Sequence, residues 1–393
     1  MIKQTQTKLF RSSDVGLDFC AGSIIRFPEV FKKILVTGFN PQIVNSVNIV
    51  GSTVTLTYGV THGYVADRVL QVTASGGFNK QVYIDSVNGN NVICTVLDGS
   101  TTGLTGTINT KVAPLGWGIV YEVANIHVYK MKHIDDTDMY VRMCFQTNTA
   151  QRNAVAVCIG KTWDSATGFI TDENAFQDTK DCMQPLTENV SRIAWNTFEA
   201  GYANASYSSG YSAFGLAMAF VGSPYHFGFS MTERYAHNIF GIFPKATHDY
   251  AVLDYPVLVS QYNNGIYAVN SGNFAKWDRT DNVVYIGNIR CSIDFIETPT
   301  NSFLPAEIDS FNTTTLRHFK LSEINTNQHL GYMYGLYFCM YSGSNRPAFD
   351  RFATPLISTD VDFENLVITM GSANESCYPN YVAFVVEEIK HGI

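Results

Sequence analysis

The chain has 393 residues, of which 46% are hydrophobic and 15% charged, with a formal net charge of −8. That apolar content excludes a disordered or low-complexity polymer, and the length allows a large core without staples. Lys and Arg total 26 against 34 Asp and Glu, so no basic field marks a nucleic-acid binder.

The N-terminal stretch lacks the apolar run and small-residue cleavage site of a secretory signal, and no run reaches the roughly 18 apolar residues of a membrane helix. The first periodic element is residues 28–37. Pro28 suits a helix first turn, and Phe31, Ile34 and Leu35 fall on one face. Period-2 alternation and short apolar runs then dominate. Strands are expected at 54–58, 69–73, 81–87 and 91–97, with Gly63, Gly76, Gly77 and Gly89 at the turns. Residues 46–112 read as a self-contained small barrel or sandwich. Further strands are expected at 126–131, 139–145 and 154–159, and a second helix at 171–179. Residues 201–215, rich in Gly, Ser and Tyr, read as a surface loop or edge hairpin. The remaining expected strands are 250–259, 283–286, 292–296, 332–341, 365–370 and 381–387.

Strand-like runs at this spacing predict a predominantly all-β chain of β-sandwich or barrel domains with few short helices. The divisions are 1–45, the first part of a parent domain; 46–112, an inserted small β-module; 113–300, a main sandwich; and 301–393, a C-terminal β-rich domain or a continuation of the sandwich. Eight cysteines form no CxxC, and Cys94, Cys158 and Cys339 lie inside apolar runs. They read as packed, reduced thiols of a chain made in a reducing cytoplasm.

The candidate chemistry is sparse. His133, Asp135, Asp136 and Asp138 crowd one short stretch, but the spacing lacks the Gly and distal Glu of an EF-hand, so it reads as a polar turn between strands. His62 reads as a turn residue bonding the backbone. His226, His237 and His248, near Glu233 and Asp249, lack any HExxH and read as half-buried histidines. Asp278, Asp281, Asp294 and Glu297 could flank a sugar, with Trp277, Tyr207 or Tyr211 as stacking platforms, yet a chain with 34 acids offers many such pairs. Gly160-Lys161-Thr162 lacks the upstream glycine of a phosphate loop. Asn189, Asn204, Asn312 and Asn374 sit in glycosylation-like triplets without a signal to use them. No residue is nominated as catalytic, cofactor-binding or metal-ligating.

The run Thr61-His62-Gly63-Tyr64-Val65-Ala66-Asp67-Arg68-Val69, followed by Phe78-Asn79, Val82-Tyr83-Ile84-Asp85-Ser86-Val87 and Asn91-Val92-Ile93-Cys94-Thr95, resembles a small β-module of tailed-bacteriophage virion proteins. The flanks are similar to a family of phage particle proteins. They include Phe10-Arg11-Ser12-Ser13-Asp14, Leu115-Gly116-Trp117-Gly118, Asp138-Met139-Tyr140-Val141-Arg142 and Phe240-Gly241-Ile242-Phe243. The resemblance covers about the first two-thirds of the chain and rests on turns and strands rather than catalytic signatures. It implies a non-enzymatic structural component of the tail, baseplate or neck, assembled in the host bacterial cytoplasm. The alternatives are a capsid decoration or vertex protein, and a receptor- or glycan-binding tail protein that could carry polysaccharide-depolymerase activity. The implied partners are other virion proteins and copies of the chain, in a multiple of three or six, with glycan contact possible and no nucleic acid, membrane or cofactor. The Tyr- and Phe-rich, charge-poor composition suits such interfaces.

Overall fold

The computed structural model describes residues 3–11, 13–17, 26–147, 154–185, 187–194, 219–233, 236–247, 253–259, 283–293, 314–341, 356–357, 365–371 and 381–391. The fold is mostly β, as the patterning predicts. Strand β1 (Lys8–Arg11) precedes helix α1 (Arg26–Lys32), which runs on as a single π-helical stretch, Lys33–Thr37. The expected face is buried, with Phe31, Ile34 and Leu35 each at 0% exposure. Phe31 meets Phe145, Phe220, Phe227 and Phe229 at ring separations of 5.7–6.3 Å. Gly38, at φ 69°, ends the helical segment by donating its N–H to Lys33 O. A Cβ there would lie 2.4 Å from Val112 O, so this position requires glycine.

The chain then closes a six-stranded barrel. Its strands are β2 (Phe39–Val50), β3 (Thr53–Tyr58), β4 (Val69–Ala74), β5 (Asn79–Asn88), β6 (Asn91–Thr95) and β7 (Ile108–Val112), in the order β2-β3-β6-β5-β4-β7. Alternation sends Val54, Leu56 and Tyr58 inward from β3 and Val92 and Cys94 inward from β6. Entry and exit are neighbours, because Phe39 pairs with Val112. The first barrel strand thus begins ahead of residue 46.

Next comes an antiparallel sheet of β8 (Gly118–Val123), β9 (Ile126–Lys132), β10 (Asp138–Phe145), β11 (Ala154–Gly160) and β12 (Ile193–Ala194), in reverse chain order. Residues 171–179, expected as a helix, form turns instead. Asp172 accepts N–H bonds from Asn174 and Lys161 and the Tyr255 hydroxyl, and these local bonds replace a helical ladder. Arg142 of β10, at 0% exposure, donates to Gly168 O and Thr179 O and packs over the Phe169 ring.

The third sheet holds β1 with β13 (Ala219–Ser223), β14 (His226–Glu233), β15 (Ala236–Phe243), β16 (Lys245–Thr247), β17 (Val257–Val259), β18 (Val283–Ile286), β19 (Ile289–Ile293), β20 (Thr314–Glu323), β21 (His329–Tyr341), β22 (Leu356–Ile357), β23 (Leu366–Gly371) and β24 (Tyr381–Val386). β20 pairs with β19, so residues beyond 301 extend the same sheet. Only Val257–Val259 of the expected strand 250–259 is extended; 250–252 lie outside the described residues, as do 201–215 and 294–296.

Two sites with ionisable side chains, the Asp14–Arg68 pair and Glu387, test this architecture. Asp14 and Arg68 form a two-pronged ion pair at 2.8 and 2.9 Å, with side chains 5% and 4% exposed. Asp14 also accepts the Arg11 N–H. Replacing Arg68 with Met strands the carboxylate; urea unfolding is expected to show a loss of about 3–5 kcal/mol. A loss under about 1 kcal/mol contradicts the role assigned to the pair.

Glu387 accepts a hydrogen bond from the buried Tyr337 hydroxyl. Burial pushes its carboxyl up to about 7, against the downward pull of that bond. The folded chain therefore keeps this proton while the unfolded chain releases it from about pH 4.5. This contribution to stability is full below about pH 4.5 and is lost as pH rises through about 7. Glu387→Gln keeps the acceptor and abolishes the titration. Urea unfolding at pH 5 and pH 8 should show the variant gaining about 1–3 kcal/mol on the parent between the two. Equal shifts in both proteins contradict this.

Candidate functional site

The acidic stretch flagged in the sequence is the turn between β9 and β10. The His133 N–H bonds Thr137 O, the Asp136 N–H bonds His133 O, and Asp136 has φ 69°. The turn sends its three carboxylates in different directions. Asp138 takes Lys132 at 2.6 Å and Lys130 at 3.4 Å. Asp136 reaches across to the third sheet, accepting the Tyr225 hydroxyl at 3.0 Å and pairing with Lys390. Asp135 accepts both the N–H and the hydroxyl of Thr137, which hold its carboxyl below the usual range against the effect of burial.

Asp135 is left facing His133, and Asp254 arrives from the segment before β17. His133 Nδ1 lies 3.4 Å from Asp135 Oδ1 and 3.8 Å from Asp254 Oδ1. Burial lowers the imidazole's affinity for a second proton, opposed by Asp254 and Asp135, so it is neutral at pH 7. Asp254 Oδ2 accepts from Lys161 Nζ at 2.5 Å, and Lys161 also stands over the Tyr255 ring. Lys245, 6% exposed, is lowered to about 8 by burial in the same neighbourhood, with Asp254 opposing. Spacing could not bring Asp254 to the turn. Its only signal was an acid in an otherwise apolar run, Leu253-Asp254-Tyr255-Pro256-Val257.

Two other flagged histidines, His62 and His226, serve the fold. His62 accepts the Tyr64 N–H at Nδ1, which leaves Nε2 to donate to Gly89 O, so it is the expected turn residue. His226 is wholly buried, hydrogen-bonded to Ser223 Oγ at 2.7 Å, and burial holds it down to about 3. Ser223 and His226 both have 0% exposure, so this hydroxyl–imidazole pair is sealed from solvent. The side chains of His237 and Glu233 lie outside the described residues. So do His248, Asp249, Asp278, Asp281, Asp294, Glu297, Trp277, Tyr207 and Tyr211.

Apolar side chains on the outside of the barrel form a second feature that spacing alone did not single out. Ile43 and Val50 of β2 and Val60, just past β3, are 65%, 69% and 64% exposed. Ile49 and Val65 add to them. Among the described residues, no helix is long and apolar enough to cross a membrane.

The chain matches no known protein-family profile, and no curated protein matches it.

Cys94, Cys144, Cys158, Cys182, Cys291 and Cys339 are all buried thiols. Burial pushes the Cys158 and Cys291 thiols up to about 12, which suppresses the reactive thiolate. In a variant with Cys20 and Cys377 replaced by Ser, a chromogenic disulfide reagent should label no thiol in the native state and six after unfolding. Rapid native labelling at any of the six contradicts the packing described.

Proposed function

We propose that the chain is a non-enzymatic structural component of a tailed-phage virion, placed in the tail, baseplate or neck. The observation that carries this reading is the closed barrel, whose interior is filled while Ile43, Val50 and Val60 stay exposed on its outside. Apolar side chains on a rigid module favour a docking surface for another rigid body. The occupants proposed are other virion proteins and further copies of this chain, in a symmetric ring or trimer. The low charge fits an interface built on apolar burial and neutral hydrogen bonds, with little dependence on salt. The phage-like turn motif, Thr61 to Val69, lies in this barrel, where His62 bonds the backbone at Tyr64 and Gly89 and Arg68 pairs with Asp14.

Sedimentation velocity of the purified chain is expected to give a multiple of three or six that survives 1 M NaCl. Ile43→Asp with Val50→Asp should disperse that assembly without lowering the melting temperature of the monomer. Quantitative mass spectrometry of gradient-purified particles then reads copy number. A small multiple of three or six supports tail, baseplate or neck, and hundreds of copies move the chain to the capsid surface. Absence from the particle overturns the virion reading.

A further inference from the structure

We propose that His133 Nδ1, Asp135 Oδ1 and Asp254 Oδ1 bind a divalent cation of the zinc class, fastening the β9–β10 turn to the segment that enters β17. The three atoms lie within 4.8 Å of one another. Tetrahedral zinc, with bonds of about 2.0–2.1 Å, sets its ligand atoms about 3.3–3.4 Å apart. The two His133 edges, 3.4 and 3.8 Å, already approach that figure.

A second observation points to a ligand. His133 Nδ1 is buried, its side chain only 9% exposed, and it makes no well-formed hydrogen bond; the nearest acceptors are the Asp135 and Asp254 oxygens at 3.4 and 3.8 Å. An unpartnered buried nitrogen is costly, and this one faces two carboxylate oxygens. A neutral imidazole there offers its lone pair to a cation. The donors are pre-positioned. Thr137 fixes Asp135 by bonding Oδ1 itself with both its N–H and its hydroxyl, one of which yields to the ion, and Lys161 occupies Asp254 Oδ2, leaving Oδ1 turned to the imidazole. Asp135 and Asp254 are 48% and 43% exposed, which gives an entry path and room for water as the fourth ligand.

The donor set selects the ion. Calcium and magnesium take oxygen ligands, whereas one imidazole with two carboxylates suits zinc, cobalt or manganese. Lys161 and Lys245 weaken the attraction, so the dissociation constant should be micromolar, about 1–10 µM, and not picomolar. The inference is independent of where the chain sits in any particle.

The test uses the full chain without an affinity tag, stripped with chelator and titrated calorimetrically at pH 7.5 with Zn²⁺, Ca²⁺ and Mg²⁺. One Zn²⁺ per chain is expected, with a raised melting temperature and at least tenfold weaker Ca²⁺ and Mg²⁺. His133→Phe and Asp254→Asn should each weaken Zn²⁺ at least tenfold, and Co²⁺ should develop tetrahedral visible bands in the parent only. Should His133→Phe fail to fold, Asp254→Asn carries the result, because its amide oxygen still receives Lys161. No stoichiometric Zn²⁺, undiminished affinity in a folded variant, or Ca²⁺ binding as tight as Zn²⁺ each overturns the assignment.

Discussion

An ion pair with both charges out of water must be complete to be tolerated, and the Asp14–Arg68 pair puts that demand on the joint between two parts of the molecule. Strand β1, just before Asp14, belongs to the third sheet, where it pairs with β13. Arg68 immediately precedes β4 of the barrel. Asp14 also orders its own turn through the Arg11 N–H. Gly16 packs beside Asn40, whose carbonyl accepts the Tyr64 hydroxyl and whose amide donates to His62 O. One short segment therefore ties sheet and barrel together, and the Asp14–Arg68 pair is complete only when both have formed. Loss of either charge leaves the other in a medium that cannot solvate it.

The β9–β10 hairpin plays a comparable part on the opposite flank of the chain order. Its Lys132 N–H bonds Pro224 O in the turn between β13 and β14, and Trp117 Nε1–H bonds Ser223 O in the same turn. Tyr225 and Lys390 then close on Asp136. A buried indole bond, a backbone bond and charged bonds at the rim act on one joint. The geometry around His133 is thus set by elements from across the third sheet and not by the hairpin alone.

Much of the fold was legible because its cause is local. Alternation in Thr53–Tyr58 and Asn91–Thr95 follows from a strand with one wet face, and the spacing of Phe31, Ile34 and Leu35 from a helix with one dry face. Residues 171–179 misled because Asp172 bonds its neighbours' backbone and a distant tyrosine, which no periodicity reports. The acidic stretch was legible as a turn. The union of His133 with Asp254 was not, since the two flank strands of different sheets and lie far apart in the chain. The Asp14–Arg68 pair was illegible for the same reason.

The neck of the barrel has a kinetic consequence. On one side of it lie Ile34 and Leu35, and on the other Leu115 and Trp117, joined by backbone bonds from Leu115 N–H to Ile34 O and from Trp117 N–H to Leu35 O. In the open chain these are distant contacts with a large loop to close. A barrel that closes first makes them near neighbours, with Phe39 already against Val112. Once the barrel has closed, the contact order seen by the rest of the fold falls, because the chain between Leu35 and Leu115 has become effectively shorter.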